Sequence, residues 1–299
     1  MSILVNKNTN VIIQGITGKE GQYHAKLMLD FGTKIVGGVT PGKGGQQVLG
    51  VPVFNSISEL LSKIKITGKI ATGIFVPVNA ALSAVKEAAD NGIKTAVLIA
   101  EGIPLSDVLR INSIARKNNM TLIGPNTPGL LSSDGCKIGI LATQYIKQGN
   151  IGVISRSGTL TAEITQNLHK YGYGETSVIG IGGDPVIGTG FAKLIAKFFD
   201  DPMTDAVVMV GEVGGSLEEE AAEFIKTAPN KKPVVVFIAG QNVPEGKRFG
   251  HAGAIVQNGA GTAKGKIEAL KSAGARIAGI PWEIGKILTE LNISKKLYD

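Results

Sequence analysis

Short apolar runs recur along the chain. Most end in glycine, and most are followed by a stretch whose apolar positions repeat every three to four residues. NVIIQG (10–15) reads as a buried parallel strand, and GKEGQYHAKLMLDFG (18–32) as the helix after it. KIVGGVTP, IATGIFVP, TAVLIAEG and TLIGPN repeat the strand pattern. SISELLSKI, NAALSAVKEAADNG and LSDVLRINSIARKNN supply helices between them, the first with Ser56 or Ser58 as N-cap. Five short strands alternating with helices predict a doubly wound α/β sheet, Rossmann-like in kind.

The rhythm breaks around NTPGLLSSDGCKIGI, which sets a domain boundary near Asn126: residues 1–126 and 127–299. A second series then begins with NIGVISRSG and helix TLTAEITQNLHKYG. Strands TSVIGIGG, AVVMVGEVGG, PVVVFIAG and RIAGI follow, with helices GFAKLIAKFFDD, LEEEAAEFIKTA, TAKGKIEALKSAG and WEIGKILTEL among them. This is the pattern of a flavodoxin-like doubly wound domain.

Composition narrows the function. The chain has 299 residues, enough for two domains, and 43% of them are hydrophobic. A net charge of +7 invites an anionic ligand. There is no Lys/Arg block, no zinc spacing and no interleaving of aromatic with basic residues, which argues against nucleic acid and for small phosphorylated molecules. One cysteine, Cys136, allows no internal disulfide and suits a reducing compartment. The N-terminus runs straight into a strand with no leader pattern, and no apolar run reaches membrane-spanning length. The expectation is a cytoplasmic protein, or a mitochondrial matrix one whose presequence has been removed.

Candidate chemistry sits at strand ends. In QGITGKEGQ, Gly15, Gly18 and Gly21 are spaced three apart between a strand and a helix, where bare N–H groups and a helix N-terminus favour phosphate. The spacing is not G-x-G-x-x-G, and no acidic residue ends the next strand. VTPGKGG puts Lys43 there instead, which favours a ligand with an extra phosphate, coenzyme A or NADP. Glu101, in AEGIP, is placed to accept from a ribose or amide, or to cap a neighbouring helix.

In the second domain three glycine-rich loops stand at strand ends: SRSGT, GEVGGS and GHAGA. The first offers an anion site at a helix N-terminus, Ser157 to Thr159. The second carries Glu212, with Glu218, Glu219 and Glu220 read as first-turn charges favouring the helix dipole. The third carries His251, one of only three histidines, on a loop stripped of bulk. A neutral imidazole is a good nucleophile towards phosphorus, and a carboxylate on one ring nitrogen fixes its tautomer. His24 and His169 lie within helices and read as packing or surface residues. No G-x-S-x-G elbow supports a serine hydrolase.

Taken in order, GITGKEG, GTKIVGGVTPGKGG, AEGIP, GPNTPG, CKIGI, SRSGTLT, GIGGDP, GEVGGS and GKRFGHAGAI resemble the α subunit of succinate–CoA ligase over nearly the whole chain. The resemblance implies an acid–thiol ligase in which His251 is phosphorylated during turnover and Glu212 is its carboxylate partner. It implies that Ser157, Gly158 and Thr159 hold the phosphoryl group. Thr17, Gly18, Lys19 and Glu20 match the coenzyme A phosphate loop, Lys43 its nucleotide contact, and Ile99, Ala100 and Glu101 the segment beside adenosine. The family's β subunit, of ATP-grasp fold, carries ATP or GTP and Mg²⁺, in αβ or α₂β₂ assemblies.

Two positions depart from the family pattern. Ala162 stands near the acyl substrate where many members have tyrosine, and Thr127 stands where many have cysteine. Two rivals follow. One is a related ligase for malate or another small acid, and the other is a non-catalytic CoA- or NADP-sensing protein that needs no chemistry at His251.

Overall fold

The computed structural model describes residues 3–241, 250–256 and 261–298. It divides into two compact units: residues 4–141 with 186–188, and residues 142–185 with 189–299 and the N-terminal tip.

The first unit runs β1 (Asn10–Gln14), α1 (Lys19–Asp30), β2 (Ile35–Val39), β3 (Gln47–Val48), β4 (Val51–Phe54), α2 (Ile57–Lys63), β5 (Ile70–Ile74), α3 (Ala81–Asp90), β6 (Thr95–Leu98), α4 (Leu105–Lys117) and β7 (Thr121–Ile123). A hairpin, β8 (Gly129–Ser132) with β9 (Cys136–Gly139), completes it. The sheet order is β3-β4-β2-β1-β5-β6-β7, parallel except for the β3–β4 pair. Setting β3 aside, this is the 3-2-1-4-5-6 order of the Rossmann fold, whose switch point lies between β1 and β5.

The sequence reading lacks the two-residue strands β3 and Leu297–Tyr298, and also β4 and the β8–β9 hairpin. Strand β4 is four residues long and holds Pro52, both of which hide a strand. The β8–β9 hairpin falls where the helix–strand rhythm stops, and with it the first unit extends to Leu141.

The second unit runs β10 (Gln148–Ser155), α5 (Gly158–Lys170), β11 (Glu175–Gly180), α6 (Phe191–Asp200), β12 (Ala206–Glu212), α7 (Leu217–Thr227), β13 (Val234–Ala239), α8 (Ala263–Ser272), β14 (Arg276–Ala278), α9 (Ile284–Glu290) and β15 (Leu297–Tyr298). Its parallel order, β14-β13-β12-β10-β11, is the 2-1-3-4-5 order of flavodoxin, with the switch point between β10 and β12. The short β15 pairs antiparallel with the start of β10.

Local sequence accounts for these elements. Every residue of β12 is buried, as a parallel strand covered on both faces requires. Helix α6 buries Phe191, Leu194, Ile195, Phe198 and Phe199, spaced so that one face meets the sheet. Ser56 rather than Ser58 caps α2, its hydroxyl accepting from the Glu59 N–H at 3.0 Å. No helix among the described residues is long and apolar enough to cross a membrane.

Candidate active site

The carboxyl ends of β10, β11 and β12 converge with the histidine loop of the second unit. Strands β10 and β12 are neighbours, with Ser155 opposite Val210, so Arg156 and Glu212 emerge side by side. Glu212 is the hub. Its Oε2 lies 2.7 Å from Nδ1 of His251, and its Oε1 lies 3.1 Å from Nε of Arg156. Both Glu212 and Arg156 are buried, while about a third of the His251 side chain is exposed. The Arg156 guanidinium also donates to the carbonyls of Gly182 and Asp184, beyond β11.

Three glycine contacts explain the bare loops. A Cβ on Gly183 would fall 2.3 Å from the His251 ring, and one on Gly253 would fall 2.7 Å from Arg156. Gly214, at φ +89°, lies so close to the Gly253 carbonyl that a Cβ would come within 2.2 Å. The loop is stripped because the imidazole and the guanidinium lie directly against backbone. Residues 246–249, the start of the GKRFGHAGAIV stretch, lie outside the described residues.

The expected pair of His251 and Glu212 is thus in hydrogen-bonding contact. Ser157, Gly158 and Thr159 lie one residue past Arg156, at the start of α5. Ser157 is its N-cap, accepting from the Leu160 N–H at 3.2 Å. Ala162 is half-buried on the second turn. Of the three glutamates opening α7, Glu218 departs from the expected role. It is fully buried, 2.6 Å from the equally buried Lys266. A buried ion pair serves something other than a helix dipole at a solvated end. Burial drives the Glu218 carboxyl upward, opposed by Lys266 and then Arg156.

Arg156, Gly183 and Lys266 have no role in the sequence reading, and Glu218 has only that of a first-turn charge. Arg156 carried one signal: a guanidinium at the end of a buried parallel strand needs an anion.

The first unit carries the other expected cluster at its own switch point. Gly15, at φ +83°, sits against Phe75, where a Cβ would be 2.5 Å from the carbonyl oxygen. Gly21 lies as close to the Gly15 carbonyl, so α1 starts hard against the loop. Gly18 is the N-cap of α1 and offers no side-chain cap to its N–H groups. Thr17 reaches Thr40 across the crevice at 3.2 Å, while Lys19 and Glu20 are exposed.

The Lys43 loop is pinned by Asn55, whose Oδ1 accepts from the N–H groups of Gly42 and Gly44 at 2.9 and 3.0 Å. Lys43 itself is exposed. Ile99 and Ala100 are half-buried past β6, next to exposed Glu101. An uncapped helix N-terminus, two backbone approaches that admit no side chain and an exposed lysine fit a phosphorylated ligand.

His24 is a packing residue, stacked on Phe75 at 5.8 Å. Burial, then the nearby Lys137 ammonium, holds its imidazole below the ordinary range. His169 is exposed.

Comparison with known proteins assigns each half of the chain to a family. Residues 6–102 match the CoA binding domain family, and residues 154–276 match the CoA-ligase family. The chain is 50% identical over 291 residues to succinate–CoA ligase [ADP-forming] subunit alpha 2 of Archaeoglobus fulgidus, covering 97% of this chain and 100% of that one. It is 49% identical to the corresponding alpha subunits of Staphylococcus aureus (100% of this chain, 98% of that one) and Aquifex aeolicus (97% and 95%).

Among solved structures, ATP citrate lyase of Methanosaeta concilii in complex with (3S)-citryl-CoA superposes with a TM-score of 0.87 at 23% identity over 99% of this chain. The dinucleotide-forming acetyl-coenzyme A synthetase 1 of Ca. Korarchaeum cryptofilum does so at 0.74 and 19% over 95%. The chain spans 52% and 61% of those two proteins, and at these identities the likeness is one of fold. Full-length identity near one half, with both domain families in order, settles the assignment: this chain belongs to the succinate–CoA ligase α-subunit family.

Proposed function

We propose that this chain, with a β subunit of ATP-grasp fold, joins succinate to coenzyme A through a phosphoryl group carried on His251. The observation that carries the reading is the 2.7 Å contact between His251 Nδ1 and a buried Glu212. With Nδ1–H donating to that carboxylate, the ring's lone pair resides on Nε2.

The nucleotide, ATP or GTP with Mg²⁺ on the β subunit, is the phosphoryl source. Nε2 attacks the γ-phosphorus, the bond to the bridging oxygen breaks, and the nucleoside diphosphate leaves. Glu212 stabilises the positive charge that develops on the ring, and Arg156 holds Glu212 in place. The N–H groups at the start of α5, around Ser157, Gly158 and Thr159, neutralise the phosphoryl oxygens. A succinate carboxylate oxygen then attacks phosphorus and the N–P bond breaks, leaving a neutral imidazole and succinyl phosphate. The coenzyme A thiol loses its proton and attacks the acyl carbon, expelling inorganic phosphate.

Thr17, Gly18, Lys19, Glu20 and Lys43 form the proposed coenzyme A phosphate site, with Ile99, Ala100 and Glu101 beside the adenosine. Ala162 faces the acid in this scheme. The small phosphorylated substrates account for the +7 charge without nucleic acid or membrane, and the cytoplasm is the proposed compartment.

The test is acyl-CoA formation by the chain and its β subunit with a panel of small acids. Succinate turnover is expected, abolished by His251→Asn with coenzyme A affinity unchanged. Turnover of malate alone would move the assignment to the sister ligase. Coenzyme A binding without turnover of any acid would favour a sensor.

A further inference from the structure

Glu218 and Lys266 take no part in the scheme above, yet both side chains are fully buried next to it. Lys266 donates to Glu218 Oε2 at 2.6 Å, to Glu219 Oε2 at 2.8 Å and to the Gly215 carbonyl at 3.0 Å. The other oxygen of Glu218, Oε1, accepts from the backbone N–H of Glu212 at 3.1 Å. Gly211 makes room for this reach, since a Cβ there would come within 2.6 Å of Glu218 Cγ. The first residue of α7 but one therefore turns back over the end of β12 and grips the residue that holds the histidine.

The desolvation that burying an ion pair costs is of the order that their attraction recovers, and an apolar pair of similar volume often does as well for stability. What an apolar pair cannot supply is an acceptor for the Glu212 N–H. We infer that Glu218, held in place by Lys266, is a positioning residue that fixes the Glu212 backbone and so aims its carboxylate at Nδ1 of His251. The inference rests on His251 being the phosphoryl carrier. It adds to Glu212 a second carboxylate, one that touches neither substrate nor imidazole.

Two double variants separate positioning from packing, each made in the full chain with its β subunit. Glu218→Met with Lys266→Met replaces ions by apolar side chains. It is expected to fold and to bind coenzyme A as the parent does, but to phosphorylate His251 about 10²-fold more slowly, the scale of a small misplacement of a reacting group. Glu218→Gln with Lys266→Met restores a neutral carbonyl acceptor and is expected to return to within a few-fold of the parent.

Imidazole ¹⁵N spectra read the same point directly, because the chain has only three histidines. The Nδ1–H signal of His251 weakens in the first variant and returns in the second. Parent-like phosphorylation by the methionine pair, or no recovery in the glutamine variant, would overturn the inference. An unlabelled parent enzyme would instead fault the phosphohistidine reading, and the ¹⁵N signals would still decide the positioning.

Discussion

Which nitrogen of residue 251 bears the proton decides whether the ring can attack phosphorus. In the proposed scheme the Glu212 carboxylate accepts from Nδ1–H, 2.7 Å away, which puts the lone pair on Nε2. Arg156 balances the Glu212 charge inside the fold. Arg156→Met should therefore strand a buried carboxylate and lower stability by about 3–5 kcal/mol in denaturant titration, with phosphorylation slowed as well. A Tm and rate close to the parent's would contradict that role.

Cys136 is the opposite case. Burial, aided by Asp134, pushes its thiol up to about 12, so thiol reagents at pH 8 should label it slowly when folded and quickly in denaturant. At this scale His251 and Glu212 were legible because each stands among glycines at a strand end. The Glu218–Lys266 pair was not: its members are far apart in the chain, and nothing local marks a glutamate in a first helical turn as buried.

Strand-end loops do the placing, and glycine sets how near they come. Gly183→Ala puts a methyl 2.3 Å from the His251 ring, so the ring must move. The expected result is slow phosphorylation in a chain that folds and binds coenzyme A normally, measured by labelling and calorimetry. Gly15→Ala acts on the other loop. At φ +83°, and 2.5 Å from the Phe75 carbonyl, the new Cβ displaces the start of α1. Coenzyme A affinity should fall while His251 labelling persists. Loss of both functions in either variant would mean that the loops do not act separately.

Most elements were visible in the apolar rhythm, since parallel strands buried on both faces read as unbroken runs. Strand β4 was masked by Pro52, and the β8–β9 hairpin breaks the strand–helix alternation on which the reading relied.

The whole molecule carries two doubly wound sheets, each with its candidate ligand cluster at its own switch point. Both strand orders are those of the Rossmann-like and flavodoxin-like folds expected from the sequence, although alternation alone implies a wound sheet without saying which strands are neighbours.

One pH effect belongs to the fold as a whole. Glu175 opens β11 with its carboxyl raised by burial from 4.5 to about 8. The folded state then holds a proton that the unfolded chain has lost. The stability that Glu175 contributes is fully present below pH 4.5, declines as pH rises towards 8, and is lost above it. Glu175→Gln should flatten that decline in Tm measured across the range, and an unchanged slope would contradict the assignment.

The central claim, that His251 carries phosphorus between nucleotide and acid, is tested most directly by labelling. The chain and its β subunit are mixed with nucleotide labelled at the γ-phosphate, and the modified peptide is isolated. An acid-labile, base-stable label on the peptide of His251, discharged by succinate with coenzyme A and absent from His251→Asn, is the predicted result. Label on another residue, or acyl-CoA made at the parent rate by His251→Asn, would contradict it.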